Sequence, residues 1–173
     1  MNRAEMTEIF AVLMLAYPNA EMFKAPDQQA LKEKLAPVIT LWTTCLRDVD
    51  FWTAQRAVVL VCQTCKFPPT IAEMREAAEK VTAEVESEVN RAYLQLRDDV
   101  RYMTQNGKTL VQVYESLPTR SRKVIDAMGG MEQFAPSDSP MLNMGGFRRT
   151  YGALLRSNPV GLPGGQQGPK KLN

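Results

Sequence analysis

The chain has 173 residues and a net charge of +2, with 45% hydrophobic and 23% charged residues. That is the balance of an ordinary soluble globular protein, long enough for one real core or a core with an appendage, and its charge alone does not force attraction to nucleic acid. The longest apolar run, Ala57 to Cys62, is far too short to span a bilayer, so no membrane partner is expected.

Acids in MNRAEMTEIF interrupt the apolar stretch that a signal peptide needs, which points to an intracellular protein. There is no histidine. That removes the commonest general base, the Ser-His and Cys-His pairs and most catalytic zinc sites. Cys45, Cys62 and Cys65 are an odd number without a secretion signal and read as reduced thiols. Cys62 and Cys65 form C-x-x-C, but no second pair and no βαβ context accompany it. Its plain reading is two small apolar residues one helical turn apart, facing a core. The expectation is therefore no catalytic residue, no metal and no cofactor.

Asn2 and Glu5 have capping-box spacing ahead of a first helix carrying Met6, Ile9, Phe10, Leu13 and Tyr17. Pro18-Asn19 ends it. Asp27 can cap a second helix with Leu31, Leu35, Val38, Trp42 and Cys45 on one face, and Pro37 should kink or divide it. Asp50 can cap a third. Phe51, Trp52, Ala54, Val58, Val59, Val61 and Cys62 make that one apolar nearly all round, as for a buried central helix.

KFPPTIAEM follows at Lys66 to Met74. Pro68 and Pro69 cannot continue the third helix, and Thr70 with Glu73 forms a second capping box that starts a fourth. Phe67 and Ile71 flank this rigid corner as anchors. The fourth helix keeps a narrow apolar stripe through Ile71, Met74, Ala78, Val81, Val85, Ala92, Leu96, Val100 and Met103, to about Gln105. That is roughly 50 Å of helix. Its first half can pack on the preceding helices, while its second half projects, pairs with another helix or breaks.

Asn106-Gly107 is a stop, and Gly107-Lys108-Thr109 resembles the tail of a phosphate loop. The full motif needs a glycine where Tyr102 stands and a strand before it, so nucleotide binding is rejected. Short helices are expected over Leu110 to Glu115 and Thr119 to Met128, the second closed by Gly129-Gly130. MEQFAPSDSPMLNMGG reads as loop, and a last helix runs from Phe147 to Ser157. The Gly- and Pro-rich tail 158–173 has almost nothing to bury and is expected to be disordered alone. The fold class is all-α. The expected organisation is a helical N-terminal domain over 1–105 that includes the long helix, a helical partner-binding region over 106–157, and the tail.

Charge is uneven. Glu73, Glu76, Glu79, Glu84, Glu86, Glu88, Asp98 and Asp99 make the long helix acidic, whereas bases dominate after Pro118. On the last helix Phe147, Tyr151, Leu154 and Leu155 form one apolar face, with Arg149 and Arg156 opposite and Arg148 between. Such a helix suits docking into a partner's groove, or folding back on Leu117, Ile125 and Met128 as a small satellite core. Arg120, Arg122 and Lys123 are candidates for touching phosphate, although a solvated face explains them as well.

The order AYPN at Ala16 to Asn19, Trp42 with Leu46 and Asp48 ahead of an alanine- and valine-rich helix, then KFPPTIAEM, resembles the phage replicative-helicase loader and inhibitor family. The resemblance covers about Thr7 to Met74. It implies a non-ATPase protein of the host cytoplasm that binds and restrains a hexameric DnaB-type helicase. Such a protein delivers the helicase to an origin or to single-stranded DNA with help from an origin-binding protein. The resemblance also implies that the C-terminal part carries the helicase contacts, here Phe147, Arg148, Arg149, Tyr151, Leu154 and Leu155. The alternatives are a DNA-binding replication or regulatory protein that uses the basic C-terminal third, and a structural helical protein that self-associates.

Overall fold

Side chains that satisfy orphan backbone donors set where the helices begin. Asn2 Oδ1 accepts from the Glu5 amide at 3.0 Å, while the Glu5 carboxylate accepts from the Asn2 amide. Asp27 accepts from Ala30 N at 2.8 Å, and Asp50 from Thr53 N at 3.1 Å. The structure, a computed structural model, describes residues 1–135 and 143–157. The α-helices are α1 (Arg3–Ala16), α2 (Gln28–Cys45), α3 (Phe51–Thr64), α4 (Ile71–Gln105), α5 (Leu110–Ser116), α6 (Thr119–Ala127), α7 (Met131–Phe134) and α8 (Met144–Ser157). A 3-10 turn at Glu21–Phe23 precedes α2. There is no strand among the described residues, so the fold is all-α as expected. None of these helices is long and apolar enough to cross a membrane.

Two compact units divide within α4, between Thr82 and Ala83. In the first, α1 packs on α2 and α3. Ala54, Ala57 and Val58 are fully buried, and their small side chains let neighbouring helices approach α3 closely. Phe10 meets Trp42 edge to face at 5.1 Å between centroids, an arrangement worth about 1 kcal/mol beyond burial. Met74, Ala77, Ala78 and Val81 of α4 complete this core.

Three contacts hold the corner between α3 and α4. The Tyr17 hydroxyl donates to the Val61 and Cys65 carbonyls at 3.3 and 3.0 Å, filling acceptors that the end of α3 leaves open. Thr70 Oγ1 accepts from Glu73 N, and the Glu73 carboxylate accepts from Thr70 N at 2.7 Å. Arg75 forms a two-pronged pair with Asp48 at 2.9 and 3.0 Å and also donates to the Cys45 carbonyl. The Arg75 hydrogen bond holds the Asp48 carboxyl down at about 2.

The second core gathers Val89, Tyr93, Leu96 and Val100 of α4 with Val113, Leu117, Val124, Ile125, Phe134, Phe147 and Tyr151. Gly129 and Gly130 end α6 with φ of 99° and 98°, the left-handed region where a Cβ is penalised.

Several expectations are corrected. Pro37 does not divide α2, which runs unbroken through it. Phe67 is no anchor. It is 72% exposed and only Lys66 lies over its ring, whereas Pro69 is the buried residue of the corner. The extended backbone at Cys65, φ −98° and ψ 130°, has already left the helical path by this point. The second half of α4 neither projects nor breaks, because α5 to α8 cover its stripe. MEQF is not loop: it forms α7 and buries Phe134 completely. The last helix begins at Met144, one turn before Phe147. The expected tail, 158–173, lies outside the described residues.

Thr70→Ala should lower stability by about 1 kcal/mol through the lost cap, read from the denaturant midpoint. Phe67→Ala should move it by less than about 0.5 kcal/mol, as for a surface site. Tyr17 gives a pH test. Burial, with Cys62 and Cys65 beside it, pushes its phenol from 10.0 up to about 12. A raised pKa means the folded state holds the proton more tightly. The contribution is therefore intact below pH 10 and declines as pH rises toward 12. Tyr17→Phe should flatten that part of the stability curve, measured by circular dichroism.

Candidate functional site

α8 carries the densest set of candidate contact residues, and its start is built by one side chain. Asn143 Oδ1 accepts from the Gly146 amide at 2.8 Å, and its own backbone N–H donates to the Phe134 carbonyl at 2.8 Å. A Cβ at position 146 would come within 2.8 to 3.0 Å of the Asn143 amide group, so glycine is what leaves room for the cap. Gly145, Gly146 and Gly152 each weaken a helix by about 1 kcal/mol relative to alanine. α8 therefore depends on its packing.

Phe147 supplies that packing. It is 1% exposed, stacked on Tyr151 at 5.3 Å and tilted against Tyr93 at 5.6 Å and Phe134 at 6.0 Å. Tyr151 is buried as well, and its hydroxyl approaches Glu88 at 3.4 Å. Arg120 pairs with Glu88 at 2.9 Å and lies over the Tyr151 ring at 4.8 Å. Glu88, Arg120 and Tyr151 thus tie α4, α6 and α8 together. Burial pushes the Tyr151 phenol up; Arg120 opposes this and Glu88 adds to it.

The apolar face read from α8 is accordingly turned inward, the satellite-core arrangement rather than a free docking face. Leu155 is half-buried against the same core, while Leu154 stays 37% exposed. Arg148, Arg149 and Arg156 are exposed. Of the three α6 bases, Arg120 is engaged by Glu88, Arg122 is half-buried with its Nε lacking a partner, and Lys123 is exposed. Clefts open on both sides of α8. One, of about 600 Å³, joins Lys123, Tyr151, Leu154 and Ser157; the other, of about 260 Å³, joins Glu86, Arg148, Gly152 and Arg156. The accessible surface is a basic helix face with one apolar residue, suited to an acidic partner surface.

Sequence reasoning missed Tyr93, Glu88 and Phe134 as partners of α8. Tyr93 lies four residues after Val89, helical spacing that was available. Phe134 sat in a segment too short to show a period. Asn143, three residues before Gly146, was a legible cap signal. The corner residues Pro68, Pro69, Thr70 and Glu73 behave as structural parts. Among the described residues no group of His, Cys, Asp or Glu side chains could hold a metal ion.

Residues 1–75 match the family model for the N-terminal domain of the gene 39 protein. That is the phage helicase loader and inhibitor family which the AYPN and KFPPTIAEM segments resemble. No curated protein and no solved structure matches the chain.

Phe147→Ala should cost about 3 to 5 kcal/mol in the second core, whereas Arg149→Ala should stay within about 0.5 kcal/mol. Helix loss on heating, followed by circular dichroism, distinguishes them. Both tryptophans belong to the first core. Their fluorescence therefore reports separately on the first unit, and its transition should not move in Phe147→Ala.

Proposed function

We propose that this chain, built on the N-terminal domain of the helicase loader family, is itself a phage helicase loader. It binds and restrains a hexameric DnaB-type replicative helicase and passes it to an origin or to single-stranded DNA. The observation that carries the reading is the match over residues 1–75. An origin-binding protein is the second partner, and the host cytoplasm the place of action. The mechanism is differential binding: a ligand shifts the ring between states only by its difference in affinity for them. The chain itself carries no catalytic activity in this reading. The incomplete phosphate motif supports that, since Lys108 follows α4 and precedes α5 without the strand and first glycine that cradle phosphates.

The helicase contact is assigned to the exposed part of α8: Arg148, Arg149 and Leu154, with Arg156 beside them. Phe147, Tyr151 and Leu155 act by holding the helix in place. Protein is favoured over DNA as the partner, because the α6 trio offers phosphate little free charge. Arg120 is already matched by Glu88 and Arg122 is half-buried, which leaves Lys123.

Mixing the full chain with the helicase encoded beside it, or with the host enzyme, should give a stable complex by light scattering. Arg148→Glu with Arg149→Glu should weaken that complex by about tenfold or more, chiefly through slower association, and leave the melting curve unchanged. Unaltered binding by this variant would move the contact away from α8. Mobility shift of bare DNA with a steep salt dependence would instead favour the DNA-binding alternative.

A further inference from the structure

The first unit has an open apolar groove of about 520 Å³ between α1 and α2. Its cause is local. Ala11 on α1 and Ala36 on α2 both line it, and two methyl groups cannot fill what larger side chains would. Phe10, Met14, Leu35 and Ile39 also contribute to its lining. Thr7, Ala11 and Leu15 follow one row of α1 at four-residue spacing, and Leu15, 64% exposed, extends the apolar lane beyond the groove.

The charges around it are one-sided. Arg3 on α1 and Lys32 on α2 line the groove, and neither has an ion-pair partner among the described residues. The one carboxylate in the lining, Glu33, accepts a hydrogen bond from Gln29 at 2.7 Å. The chain's own C-terminal segment 158–173 is a poor occupant, since it carries Lys170 and Lys171 and no acid.

We propose that this groove is a second docking site, taking an acidic amphipathic helix of another protein: apolar residues on one face enter between α1 and α2, and flanking carboxylates meet Arg3 and Lys32. Helix-in-groove recognition needs an apolar trough along paired helices, with charges at its edges fixing the register. The site belongs to a different unit from the α8 face and does not depend on what that face binds.

The probe is a labelled peptide of about 14 residues, as long as α1, with leucines at i, i+4 and i+7 flanked by glutamates. A lysine-for-glutamate copy and a shuffled copy of the same composition serve as controls. Titrated into the full chain, the acidic helix should bind saturably and shift the amide resonances of Ala11, Leu15 and Ala36. Arg3→Glu with Lys32→Glu should weaken it by about tenfold or more and admit the lysine copy, as like charges on an edge require. Both positions are exposed, so melting should be unchanged. Ala36→Leu, which fills the trough, should weaken both peptides in their matching backgrounds. The proposal is overturned by absence of saturable binding, by equal binding of the shuffled copy, or by shifts that map elsewhere. A rise in mass with concentration that the double variant abolishes would assign the groove to a second copy of the chain and overturn it equally.

Discussion

The first unit depends on how α3 is stopped. A helix end leaves backbone carbonyls without partners, and Pro68-Pro69 prevents the chain from supplying them by continuing. Tyr17, at the end of α1, reaches across to the Val61 and Cys65 carbonyls. Five residues after Cys65, Thr70 and Glu73 satisfy each other's amides and α4 begins. Arg75, one turn in, returns to Asp48 and the Cys45 carbonyl at the end of α2. The ends of α1, α2 and α3 and the start of α4 are therefore fixed by a handful of polar contacts around one short turn. The family match ends at residue 75, where the last of those contacts is made.

α4 then serves two cores with one stripe. Met74, Ala77, Ala78 and Val81 are small or flexible and belong to the first. Val89, Tyr93, Leu96 and Val100 are bulkier and belong to the second. Between them Thr82, Ala83 and Glu84 are exposed, which is where the units divide. Nothing in helical propensity marks that place, since all three residues are tolerated in a helix. The boundary expected at Gln105 followed the end of the helix, but compactness follows the side chains that share a core.

The second core gives α8 its character. Phe147 and Tyr151 have the size and spacing of docking anchors, and burying each contributes about 1.5 to 3 kcal/mol. They spend that on α4, α6 and α7 of the same chain, leaving the cationic side of α8 as the surface for another molecule. A basic face on a helix held by an aromatic core is preorganised, so less ordering entropy is lost when it binds. In this arrangement the aromatic residues position the contact and the arginines and Leu154 make it.

The all-α class, the capping boxes at Asn2 and Thr70, the length of α4 and the stop at Gly129-Gly130 were legible from residues alone. Each rests on interactions within about one helical turn, and local chemistry encodes those fully. The AYPN and KFPPTIAEM order was legible too, because the corner demands particular residues at particular positions. What covers a stripe was not legible. Periodicity tells which face is apolar but is silent on whether another helix of the same chain or another protein buries it. Hence Phe147 and Tyr151 had two readings until Tyr93 and Phe134 were found against them. Phe67, beside the prolines, looked like an anchor, but the direction in which an extended segment points its side chain is settled by the backbone on either side. Glu88, on α4, met Arg120 and Tyr151 from 32 and 63 residues away. Partners at that separation are chosen by how helices pack, and only the tertiary structure decides that.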